Sequence, residues 1–201
     1  AEGRAVLLYH VEKMNEESAN ALLKVMEEPP EGVLFLLTAD SLAGVLPTIR
    51  SRCVSFAVAP VSPADCTRYC AAQGVDKKTA ALYSELFDGH IGTVLAVARD
   101  EARAAQVEKA LELARAAAAR DSYTAAVLLA AYEKDKAAAA ALLTDFRAVA
   151  AAGLRSSPRA PVQGTQARQA VRLADAALQR LGAQVNPKVV LSVFAAKLRT
   201  L

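Results

Sequence analysis

The chain of 201 residues is long enough for two small domains with cores of their own. More than half of it is apolar, aromatic residues make up 5% and tryptophan is absent, a balance that suggests a helical majority. A formal net charge of +3 is too weak to argue for nucleic-acid binding by itself, and no apolar run reaches the ~18 residues that a membrane span needs. Three cysteines without a paired spacing fit a reducing compartment better than a disulfide framework, and with no recognisable signal peptide the expected location is cytoplasmic.

Three short apolar runs, Ala5–Tyr9, Val33–Thr38 and Cys53–Val58, are too short for helices and read as buried strands. Between the first two lies NEESANALLKVMEE. Asn15 is a good N-cap, Glu16 and Glu17 suit the positive end of a helix, and Pro29-Pro30 stops it. Ala19, Leu22, Leu23 and Met26 recur at helical spacing and predict one core-facing stripe. Strand, helix, strand, short helix, strand is the order of a parallel α/β sheet.

Ala59-Pro60-Val61-Ser62-Pro63 reads as a boundary, with Ser62 an N-cap and Pro63 the first helical residue. SPADCTRYCAAQG predicts a helix closed by Gly74, and DKKTAALYSELFDG a second, capped by Asp76 and closed by Gly89. HIGTVLAVA begins a third that could continue through the charged stretch Arg99–Arg120. Further helices follow over DSYTAAVLLAAYEK, with Asp121 or Ser122 as cap, and over Asp135–Gly153. Arg155–Gly164, with Pro158 and Pro161, reads as a flexible loop. Thr165–Leu181 is amphipathic, with Ala167, Ala170, Val171, Ala174, Ala177, Leu178 and Leu181 on one side, and Asn186-Pro187 opens a last helix.

NALLKVMEEPP, an apolar strand ending in Thr38, and then LPTIRSRC form one specific arrangement over about a quarter of the chain. It resembles the second half of the nucleotide-binding domain of AAA+ clamp-loader subunits, in particular the delta-prime branch of bacterial DNA polymerase III. The resemblance implies an α/β C-terminal half of a AAA+ core over residues 1–60, a helical lid over 61–120 and a helical collar for oligomerisation over 121–201. No G-x-x-x-x-G-K-[ST] phosphate loop occurs in the sequence. In the resembled family that loop and a four-cysteine zinc module lie upstream, so a fragment is expected, with strands left bare where the upstream half would cover them.

By the same resemblance, the strand Arg4–Glu12 is the one that in active relatives ends in a magnesium-holding Asp with a catalytic Glu beside it. Here His10 stands in the Asp position, followed by Val11 and Glu12, and an imidazole does not replace a hard oxygen ligand for magnesium. The plain alternative, a strand-end histidine bonded to its neighbours, equally denies catalysis. Thr38 takes the place of a phosphate sensor and reads here as a satisfied strand-end hydroxyl. Gly92 takes the place of a second, basic sensor. Arg52, flanked by Ser51 and Cys53 that would fix its exit from the short helix, takes the place of an arginine finger acting on ATP and magnesium held by the next subunit. A permanently charged, forked guanidinium suits that role, since it can meet phosphate oxygens bidentately.

Glu27-Glu28, before two prolines, reads as solvated or structural rather than as catalytic carboxylates. Asn20 and Lys24 lie one turn apart, either exposed or facing a neighbouring subunit. Cys66 and Cys70, at i and i+4, read as packing thiols rather than metal ligands. Arg147, Arg155, Arg159, Arg168, Arg172 and Arg180 lack interleaved aromatics and read as solvated faces. The resemblance thus implies a non-hydrolysing subunit without a cofactor in this stretch. Its implied partners are gamma/tau-type and delta-type subunits and, through the complex, the sliding clamp and primed DNA, with no membrane. The rival readings are a truncated ATP-hydrolysing gamma/tau-type subunit and a helical scaffold without any connection to ATP.

Overall fold

The computed structural model describes residues 3–59 and 61–201, so the boundary role read at Pro60 lies outside the described residues. The chain separates into two units, one ending at Val58 and the other beginning at Ala59.

In the first unit, β1 (Arg4–Leu8) pairs in parallel with β2 (Val33–Leu37), Arg4 opposite Val33 and Leu8 opposite Leu37. A parallel pair needs a crossover, which α1 (Glu16–Glu27) supplies. Asn15 caps α1, its side-chain oxygen accepting from the Ser18 N–H at 2.8 Å. The helix turns Ala19 and Leu22 into a small core with Val11, Val45 and Ile49, and Leu8, Leu23, Met26 and Leu37 pack against it. Ile49 belongs to α2 (Pro47–Arg50), one turn opened by proline at its first position.

Two expectations for this unit are corrected. β1 and β2 are not buried strands: Leu7, Leu34 and Leu36 are exposed on one face, and Val6 is exposed on the other. Cys53–Val58 is not a strand. Beyond Cys53 it is irregular, with Val54, Phe56 and Val58 at 81%, 85% and 93% exposure. β-rich composition makes a strand only where an edge is available to pair with, and among the described residues no strand pairs with this segment.

The second unit is helical: α3 (Pro63–Ala72), α4 (Lys77–Leu86), α5 (Ile91–Arg99), α6 (Glu101–Ala118), α7 (Ser122–Ala130), α8 (Lys136–Leu154), α9 (Gly164–Gly182) and α10 (Pro187–Leu198). Ser62, Asp76, Asp121, Asp135 and Asn186 each cap a helix with a side-chain oxygen. The third helix does not continue beyond Arg99. Asp100 breaks it by capping α6, its Oδ1 accepting from the N–H groups of Ala102 at 2.9 Å and Arg103 at 3.2 Å.

One core runs from Cys66 to Leu201. Alanines at 139, 150, 167, 170 and 174 are fully buried and let α8 and α9 approach closely, while Phe146 and Phe194 meet edge-to-face at 5.4 Å. The stripe expected on α9 faces this core, with Val171 and Leu178 at its margin. Arg103 of α6 holds Asp145 of α8 through both terminal guanidinium nitrogens, one bond measuring 2.6 Å. Lys136–Leu154 has the length and mean hydropathy (1.4) of a membrane span, yet half of it is buried in this core and it carries Asp145 and Arg147.

Arg155–Gly164 is not a slack tether. Val162 is fully buried and Ala160 nearly so, and a Cβ added at Gly153 would stand 1.9 Å from the Val162 carbonyl oxygen. The Gln163 side-chain amide donates to the carbonyls of Ser157 at 2.7 Å and Ala160 at 2.9 Å. Ser157 donates to Glu85 at 2.8 Å, and Arg159 reaches the same carboxylate at 3.1 Å. Polar composition concealed a loop bonded at both ends.

Candidate functional site

Two clusters in the first unit hold most of the candidate site residues, both at the ends of elements that the small core positions.

The first lies at the carboxyl ends of β1 and β2, where parallel sheets commonly place their ligand sites. The ladder runs out through the Thr38 N–H donating to the Leu8 carbonyl at 2.9 Å and the Val11 N–H donating to the Thr38 carbonyl at 3.0 Å. His10 sits between them in the left-handed region, φ 56°. Its backbone N–H donates to the Thr38 hydroxyl at 3.3 Å, so this hydroxyl accepts within the unit. The His10 imidazole Nδ1 lies 3.2 Å from Glu12 and 3.6 Å from Asp40.

Burial pushes the Glu12 carboxyl up, but the backbone amides of Glu12 and Asp40 and the His10 ring together outweigh it and hold the group below its ordinary range. The three side chains place ligand-type atoms within 4.8 Å of one another. Magnesium, the ion that this position holds in active P-loop ATPases, demands an oxygen shell. Here an imidazole nitrogen stands between the two carboxylates, so the residues do not fit that ion. Asp40 escaped the sequence reading because only the return of the chain after β2 brings it beside His10.

The second cluster is at α2. Ile49, buried, anchors the turn in the core, and the Arg52 N–H donates to the Ile49 carbonyl at 3.1 Å as the chain leaves the helix. The Ser51 hydroxyl donates to the Thr48 carbonyl at 2.9 Å. The Arg52 guanidinium donates from Nη1 to the Thr48 carbonyl at 3.1 Å and to the Ser51 hydroxyl at 3.5 Å, and from Nη2 to Glu27 Oε1 at 2.5 Å. Cys53 packs at the edge of the core, and burial pushes its thiol up. The EEPP and SRC motifs, separated in sequence, are therefore in direct contact through Glu27 and Arg52. Asn20 and Lys24 are exposed on α1.

The remaining candidates lie in the second unit. Gly92 is in the first turn of α5, where an added Cβ would meet nothing within 4 Å. Cys66 and Cys70 are wholly buried on α3; burial, and then the neighbouring Cys66, raise the Cys70 thiol. Arg147, Arg155 and Arg159 each pair with an acid, at Asp175, Asp88 and Glu85, all at 3.1 Å.

A family model described as the delta subunit of DNA polymerase III matches residues 1–62. The delta-prime subunit of DNA polymerase III from Yersinia pestis is 42% identical over 66 residues, 33% of this chain and 19% of that protein. The gamma subunit from Buchnera aphidicola subsp. Schizaphis graminum is 37% identical over 62 residues, 31% of this chain and 17% of that protein. The matches with these curated relatives span less than a fifth of the relatives' length. A DNA polymerase III gamma subunit-related protein of Thermotoga maritima is similar in structure, with a TM-score of 0.55 over 98% of this chain and 72% of that one; at 21% identity this likeness is one of fold.

Proposed function

We propose that the chain is a clamp-loader subunit of the DNA polymerase III type, the proteins to which its first 62 residues are similar, and that it is a delta-prime-type, non-hydrolysing subunit that supplies Arg52 in trans to a neighbouring ATPase subunit. It would thereby help to place the sliding clamp on primed DNA. Its partners would be gamma/tau-type and delta-type subunits, with ATP and magnesium on the neighbour. Residues 61–120 would form the lid and 121–201 the collar through which the subunits associate.

The observation that carries the reading is the site at α2, where an arginine leaves a single anchored turn with its side chain 39% exposed at the unit's surface. His10 between two carboxylates and Gly92 without a side chain support a subunit that does not turn over ATP itself. The similarity to gamma subunits keeps an ATP-hydrolysing reading as the rival. ATP turnover by the full-length protein, alone and mixed with gamma-type subunits, separates the two. Turnover that needs the gamma-type partner supports the proposal; turnover by the full-length protein alone would move it to the gamma branch.

A further inference from the structure

The contacts of Arg52 lie on the side of the guanidinium that phosphate would need. A fork–fork contact uses two parallel N–H bonds, and both terminal nitrogens are engaged within the unit: Nη1 with the Thr48 carbonyl and Ser51 hydroxyl, Nη2 with Glu27 at 2.5 Å. Glu27 is the last residue of α1, and Pro29-Pro30 keeps the helix from continuing. Arg52 follows α2, and α1 and α2 are held together through Leu22 and Ile49 of one small core. The separation of carboxylate and guanidinium is thus set by helix packing as well as by two flexible side chains. At 50% and 39% exposure the pair is solvated enough to exchange.

We propose that Glu27 is a positioning residue for Arg52: an intramolecular carboxylate that competes with the partner's nucleotide phosphate for the terminal edge of the guanidinium and holds the arginine back until the subunits close. This rests on the reading of Arg52 as a trans-acting finger. Carboxylate and phosphate oxygens recognise the same fork, so one must leave before the other binds. A displacement of α1 against α2 would loosen Glu27 from Arg52, linking the packing of this unit to the ATP site of its neighbour.

The test is ATP turnover by a reconstituted loader containing the full-length protein as wild type, Glu27→Gln, Arg52→Ala or the double variant, without clamp or DNA. Glu27→Gln keeps the size and solubility of the side chain and removes the competing charge. The expected result is an unstimulated rate about two- to fivefold higher, the scale of an exposed ion pair. The rise should lie in kcat with KM for ATP unchanged, and should be absent in the double variant. A merely structural role predicts a fall instead. An unchanged or lower rate in Glu27→Gln, with Arg52→Ala impaired, overturns the competition and leaves the finger standing. A loader indifferent to Arg52→Ala overturns both.

Discussion

At the residue scale, charge is placed where a backbone or a partner side chain meets it. Asp76 is an example: the Thr79 backbone N–H at 2.9 Å and then the Thr79 hydroxyl at 3.0 Å hold its carboxyl below the ordinary aspartate range. A carboxyl whose folded pKa is depressed adds stability that is present above the unfolded value, ~3.9 for aspartate. That contribution is lost as pH falls through the folded value. Asparagine caps equally well but does not titrate. Asp76→Asn should therefore unfold at the wild-type temperature near neutral pH and lose less of its Tm than wild type between about pH 5 and 3. Parallel Tm–pH curves for the two proteins would show that the cap carries no charge-dependent stability. His10 illustrates the same scale by a different route. Its left-handed backbone turns the imidazole between Glu12 and Asp40, and a nitrogen donor there does not suit magnesium, which takes an oxygen shell.

At the element scale, the helices stand on caps and small residues, and much of this was legible. Asn15, Ser62, Asp76 and Asp121 mark helix starts by residue type alone, and the apolar stripes of α1 and α9 fall on the buried side. What was missed needed partners distant in sequence. Asp100 is the exception: its capping partners Ala102 and Arg103 are local, but helix-forming residues on both sides of it hide the break between α5 and α6. Val54, Phe56 and Val58 have the composition of a strand and no strand to pair with among the described residues. Arg155–Gly164 has the composition of a tether but is bonded to Glu85 and buries Val162. The contact between Glu27 and Arg52 follows from the packing of α1 against α2, which no local spacing encodes.

The pairing of α6 with α8 yields a direct test at this scale. Arg103→Ala leaves Asp145, whose side chain is 4% exposed, without its cation. Breaking such a pair from one side costs about 3 kcal/mol or more, visible as a lower midpoint in urea with an unchanged slope. A loss under about 0.5 kcal/mol would mean that the pair behaves as a surface contact.

At the scale of the whole molecule, the sequence match and the proposed chemistry sit together in the first unit, while the second is a helical body with a continuous core. That division suits a subunit whose α/β part presents one arginine and whose helical part includes the collar that associates with neighbours, the roles proposed for residues 1–60 and 121–201. The most direct measurement is clamp- and DNA-stimulated ATP hydrolysis by a reconstituted loader containing the full-length protein as wild type or Arg52→Ala. Loss of a trans arginine finger can cost on the order of a thousandfold at the affected site, diluted by turnover at the other sites. A marked fall in stimulated rate, with the subunits still assembling, is the predicted result. An unchanged rate in an intact assembly would contradict the account and leave Arg52 as a surface residue bonded to Glu27.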